Sequence, residues 1–71
     1  MRKTSSPLRN LRRARTMNQT DVARILGISQ QTYAKYETGL LVPSEDMQVR
    51  IAAVFGVSVG TIFPSLTAMA S

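Results

Sequence analysis

Only Gly27, Ile28 and Ser29 stand between two segments that each carry their own helix start and stop, and a join that short forces the two helices to cross at a sharp angle. The first segment opens at Asn18, whose side chain can accept from a first-turn amide, with Asp21 three residues on as the acid of a capping box. It closes at Gly27, because glycine takes the left-handed conformation of a helix end without steric cost. The second opens at Ser29 and is followed by Gly39.

The same punctuation recurs on both sides. Ser6 is an N-cap candidate with Pro7 at the first helical position, where a missing N–H costs nothing. Pro43 and Ser44 start a fourth helix whose first turn holds Glu45 and Asp46, acids placed where the helix dipole favours negative charge. Gly56 ends it; Ser58 caps a last short turn through Ile62 and Phe63, and Pro64 stops that turn. Val, Ile, Thr and Tyr alternate nowhere for long enough to suggest a strand. The reading is an all-α, compact five-helix domain, with helices near 7–15, 19–26, 30–38, 45–55 and 59–63. Residues 1–6 form a flexible basic arm, 7–64 the folded unit and 65–71 a flexible tail.

At 71 residues one small folding unit is the ceiling, which excludes a two-domain enzyme or a receptor with its own sensor module. Cys and His are both absent, so disulfides, zinc sites, thiol nucleophiles and the usual general base at neutral pH drop out together. No cofactor or metal is expected, and the fold rests on a core worth about 3–5 kcal/mol at this size. The longest apolar run, Ile51 to Phe55, is far below the roughly 18 residues that span a bilayer, and a cytoplasmic, nucleoid-associated protein is expected. Nine Lys and Arg against four Asp and Glu give +5. Residues 1–24 carry the whole excess, with Arg2, Lys3, Arg9, Arg12, Arg13, Arg15 and Arg24 facing only Asp21. A basic end on a small domain points to a polyanion, nucleic acid or an anionic membrane surface. The membrane reading fails because the first helix has only a narrow apolar stripe, which the core needs.

At about 100° per residue, Leu8 and Leu11 share one stripe of the first helix, and Arg12 falls beside them instead of outside with Arg9 and Arg13. A charge drawn towards a core needs a partner. Tyr33 and Tyr36 turn inward on the third helix with Glu37 at the edge of their stripe, and Glu37 is the only acid between Asp21 and Glu45. An Arg12 to Glu37 ion pair is therefore predicted; the alternative is an Arg12 lying along the surface with its head in water. The opposite face of the third helix shows Gln31, Ala34, Lys35 and Thr38, with Gln30 at its exposed start. Amide side chains can bond N6 and N7 of adenine, and Lys can reach O6 and N7 of guanine, in a groove wide enough to admit a helix. A plain polar face rich in Gln is the competing reading.

The stretch NQTDVARILGISQQTYAKYETG resembles the helix-turn-helix of the Cro and C1 repressor family, with Ala23 where the two helices approach, Gly27 at the turn, and Val22, Leu26, Ile28, Tyr33 and Tyr36 at core positions. The resemblance covers about residues 8–63, and SQQT is particularly similar to the start of the recognition helix in lambdoid phage repressors. It implies a lambda-repressor-like DNA-binding domain with the helix-turn-helix at about 19–38. It also implies phosphate contacts from Gln19 and the adjacent Asn18, base readout by Gln30, Gln31 and Lys35, a phosphate or base contact from Thr32, and a structural pair of Arg12 with Glu37. Three places depart from the family pattern. Leu40, Leu41 and Val42 stand where basic or polar residues are usual, and are either folded back on the core or exposed as a dimer or partner contact. Glu45 and Gln48 replace apolar residues, with Met47 and Val49 compensating. Gly60 and Thr61 weaken the last helix.

The function expected is a phage or bacterial transcription repressor that binds a near-palindromic operator as a dimer, with helix 30–38 in the major groove. Arg9, Arg13, Arg15, Asn18, Gln19, Thr32 and Thr38 would serve the backbone, with a minor-groove or phosphate reach from Arg2 and Lys3 on the arm. Arg9, Arg13 and Arg24 are equally readable as solvated charges. Dimer contacts would come from Leu40 to Val42 and the segment around Ile62, Phe63 and Leu66. The rival is a protein-interaction module on the same fold, an antitoxin or anti-regulator, using Leu40 to Val42. An enzyme is the weakest reading, since Asp21, Glu37, Glu45 and Asp46 pair with no nucleophile or metal-ligand set.

Overall fold

The computed structural model describes residues 7–63, and within them five helices follow one another: α1 (Pro7–Ala14), α2 (Gln19–Leu26), α3 (Gln30–Thr38), α4 (Glu45–Phe55) and α5 (Val59–Ile62). The Ser6 cap, the arm with Arg2 and Lys3, Pro64 and the tail with Leu66 lie outside the described residues. Helix ends sit within one residue of those predicted, because most are set by local caps. Asn18 Oδ1 accepts from the Asp21 amide at 2.8 Å while Asp21 returns a bond to the Asn18 amide at 3.1 Å, closing the predicted capping box. Ser29 and Ser44 accept from Thr32 and Met47 amides in the same way. Gly27 adopts φ 75° and passes its N–H to the last carbonyls of α2, which lets the chain reverse into α3. Ser58 differs from the expectation: it occupies the N-cap position of α5 without a side-chain bond to the helix, its hydroxyl lying 3.0 Å from that of Thr61.

The core draws on every helix: Leu8 from α1, Val22, Ala23 and Leu26 from α2, Tyr33 from α3, Ile51, Ala52 and Phe55 from α4, and Ile62 from α5. Helix α2 packs on α3 and α4, while α1 touches α3 and α5. Tyr36 is only half-buried, packed against the core from its edge. Two expectations at the far end need correction. Ile62 is a core residue and not part of a contact surface, and Val49 does not compensate for Gln48 but is exposed. Gln48 is itself buried, and its amide Nε2 donates to the Pro43 carbonyl at 2.9 Å. A buried amide is tolerated there because it supplies a donor to a carbonyl that the preceding loop leaves without a helical partner.

Candidate nucleic-acid interface

The face of α3 that carries Gln31 and Lys35 is open to solvent, with Gln30 exposed at the helix start and Ala34 half-buried between them. It stays open because the other side of α3 is held from within. Tyr33 is fully buried, and Glu37 lies one turn later on the same side, with no side-chain exposure. Arg12 closes over it: Nε donates to Glu37 Oε2 at 2.6 Å and Nη2 to Oε1 at 3.3 Å, while Nη1 donates to the Met17 carbonyl at 2.9 Å. The predicted pair is thus present in forked geometry and ties α1 to α3. Its third bond also pins the α1–α2 turn, where Thr16 takes φ 52°, a left-handed conformation that a β-branched residue rarely adopts.

Burial alone would raise the Glu37 carboxyl, but the hydrogen bonds from Arg12 and Gln19, with the Arg12 charge behind them, hold it below its ordinary value. Arg12 is raised in turn, first by its hydrogen bond to Glu37 and against its own desolvation. Burial also pushes the Tyr33 hydroxyl up, with the neighbouring Glu37 carboxylate adding to the effect. That hydroxyl makes no hydrogen bond of ordinary geometry, and the closest contacts to the Glu37 carboxylate come from Arg12 and Gln19.

The structure links residues that the sequence reading had treated one by one. Gln19 Nε2 donates to Glu37 Oε1 at 3.0 Å, and Gln19 Oε1 accepts from Gln30 Nε2 at 2.6 Å. Gln30 is thereby tethered to the start of α2 and, through it, to the buried carboxylate. No local signal announces this link: Gln19 and Gln30 are 11 residues apart, and an amide on a helix surface gives no hint of its partner.

Other predicted residues lie as follows. Asn18 is exposed with its carbonyl oxygen committed to the cap. Thr32 is half-buried, its hydroxyl accepting from Ser29 Oγ at 2.9 Å, and Thr38 donates back to the carbonyls of Ala34 and Lys35. Arg13 is exposed. Arg9 leans towards the buried pair, with Nε 3.7 Å from Glu37 Oε1, while keeping part of its side chain in solvent. Arg15, expected at a phosphate, is exposed, and its guanidinium donates to the Leu11 and Phe55 carbonyls and lies 5.6 Å from the centre of the Phe55 ring. A cation at the C-terminal end of α4 satisfies a carbonyl that no further turn of helix reaches, and stacks on the adjacent ring. Leu40, Leu41 and Val42 are 78%, 43% and 67% exposed, so they have not folded back on the core, whereas Phe63 packs against it in part.

The pattern of a family described as helix-turn-helix matches residues 8–62, the segment that holds α1 to α5. The chain belongs to the Cro/C1-type helix-turn-helix family. A transcriptional repressor, RstR of the cryptic phage CTXphi from Vibrio cholerae, is 34% identical over 58 residues, a match that covers 82% of this chain and 52% of the relative. The chain therefore spans about half the length of that curated relative. No solved structure matches it. In this Cro/C1-type chain, the compact five-helix fold with a helix-turn-helix over α2 and α3 is the one the resemblance implied.

Proposed function

We propose that the protein is a sequence-specific DNA-binding regulator of transcription, acting as a repressor. Helix α3 enters the major groove and α2 crosses the backbone. Gln30, Gln31 and Lys35 read base edges; Asn18, Gln19, Thr32, Thr38, Arg9 and Arg13 serve the phosphates, with Arg2 and Lys3 extending the contact. One observation carries the reading: α3 keeps an open amide and cation face while its inner face is anchored by a buried, forked ion pair. That is what a helix presented rigidly to a partner requires, and the relative's description as a transcriptional repressor agrees with it. One recognition helix reads too few base pairs for a unique site, so the working form is a dimer on two half-sites about one helical turn apart. Such a regulator would reside in the cytoplasm, on the nucleoid.

Selection of random duplex DNA on the purified protein tests this, followed by a salt titration on the selected and a scrambled sequence. A two-fold symmetric motif bound much more tightly than the scramble supports the proposal. Equal, salt-sensitive binding to both would mean that the basic residues only grip phosphates.

The exposure of Leu40, Leu41 and Val42 favours a second reading, in which the loop after α3 receives a protein partner. Gln31→Ala and Lys35→Ala separate the two: they abolish sequence preference if DNA is read and leave a protein partner's binding unchanged.

A further inference from the structure

Among the described residues five large apolar side chains are exposed, and four of them, Leu40, Leu41, Val42 and Val49, fall in the stretch that runs from the end of α3 into the first half of α4. The fifth, Ile25, stands on α2. Apolar side chains gathered in one place on a small protein mark a contact surface, whereas the same residues scattered singly would not. The loop that carries three of them is also held at both ends. The amides of Leu40 and Leu41 donate to the Lys35 carbonyl at 3.0 and 3.3 Å, Pro43 is buried with its carbonyl on Gln48 Nε2 at 2.9 Å, and Ser44 caps α4. A loop fixed in this way has little freedom left to lose on binding.

The distribution of charge indicates what covers the patch. The protein carries +5, and its described cations outside this stretch all lie between Arg9 and Lys35, so two copies repel one another through most of their surface. Residues 40–50 are the exception, with Glu45 and Asp46 against Arg50 alone. The order of those charges matters too. Asp46 and Arg50 stand one turn apart on the outer face of α4, 3.3 Å from Oδ2 to Nε, and Val49 is exposed beside them. An acid followed one turn later by a cation complements itself when two such helices meet antiparallel about a two-fold axis: each Asp46 faces Arg50 of the other copy. A partner of one sign would match only half of this pattern.

We infer that residues 40–50 form a self-complementary contact between two copies of this chain, in which Leu40, Leu41, Val42 and Val49 supply the apolar centre and Asp46 and Arg50 exchange partners across the two-fold axis. A standard interface uses about 20–30 residues a side, so a contact of roughly half that number is weak in solution and gains strength where DNA holds two copies together. The inference deepens the reading of the protein as a regulator on two half-sites, and rests on that reading only for the step onto DNA.

The test is sedimentation of the full chain without DNA, from micromolar to millimolar concentration, with melting curves to show that each variant is folded. The wild type should pass from monomer to dimer. The double variant Leu40→Ser with Val42→Ser should dimerise at least about tenfold more weakly, since each copy loses two aliphatic side chains from the contact. Asp46→Arg and Arg50→Asp should each be monomeric alone, because like charges then meet across the axis, and an equal mixture of the two should dimerise again. All four positions are exposed, so the substitutions leave the core untouched. On DNA, the double variant should bind a duplex with both selected half-sites at least about tenfold more weakly than the wild type, and a duplex with one half-site equally well. A wild type that stays monomeric at millimolar concentration overturns the inference and leaves the patch to a different partner. So does a double variant that dimerises as well as the wild type, or a mixture of the charge variants that stays monomeric. Equal weakening on one and two half-sites overturns it as well, since the loop would then be touching DNA. If random selection yields no preferred sequence, the DNA-reading proposal fails while the sedimentation result still decides the contact.

Discussion

The two ends of the molecule are stabilised by different means. Around α3 the buried centre is polar, with Glu37 receiving Arg12 and Gln19, whereas around α4 and α5 it is apolar, with Ile51, Phe55 and Ile62 in close packing. Even the buried amide of that second end, Gln48, serves the neighbouring loop and not another helix. The apolar end supplies stability in bulk, since burial is not directional. The polar end adds direction, because hydrogen bonds and ion pairs hold an angle as well as a distance. It is the polar end that bears the exposed amide face.

Breaking either end separates these roles. The largest loss is expected from Phe55→Ala, which removes a core ring and the surface under Arg15, at about 3–5 kcal/mol; chemical denaturation should show a chain largely unfolded, given how small its total stability is. Glu37→Leu should approach the same size, about 3–5 kcal/mol, by stranding Arg12. Adding Arg12→Met to it should recover most of that loss, and a double variant no more stable than Glu37→Leu would mean that the cost lay in shape and not in charge.

The polar end should also carry the pH dependence. The folded Glu37 has a lowered pKa, so its contribution is complete above the ordinary carboxylate range and is lost as pH falls through the folded value, because the unfolded chain takes up the proton first. Thermal melts from neutral to acid pH should show this decline in the wild type, with a shallower decline once Arg12 and Glu37 are both Met. Asn18→Ala should cost about 1 kcal/mol through the lost cap. Smallest of all, Leu41→Ser should leave the melting curve within about 0.5 kcal/mol of the wild type, since an exposed side chain adds little to the core; sedimentation would reveal any weakened self-association.

The candidate site was legible in part. Arg12 and Glu37 are 25 residues apart, yet they could be paired from the sequence, because a charge on an apolar stripe needs a partner and only one acid was positioned to provide it. Gln19 and Gln30 offered no such imbalance. Arg15 was read as a phosphate contact, and its bond to the Phe55 carbonyl was not legible because that partner is a backbone carbonyl 40 residues away, and every residue type carries one.

What the sequence determined by itself was the order, ends and handing-over of the helices. Caps at Asn18, Ser29 and Ser44 and the left-handed Gly27 act within three or four residues, and no distant group can alter them. It also determined the family and the side of α3 that faces outward, since periodicity alone sorts Tyr33 and Glu37 from Gln31 and Lys35. Only the tertiary structure decided that Gln48 goes in while Val49 stays out, that Arg15 ends on Phe55, and that Gln30 is bound through Gln19 to Glu37. Each of those depends on which polar group lies within about 3 Å after the helices have packed, a distance that the packing of the core sets and no local pattern of residues encodes.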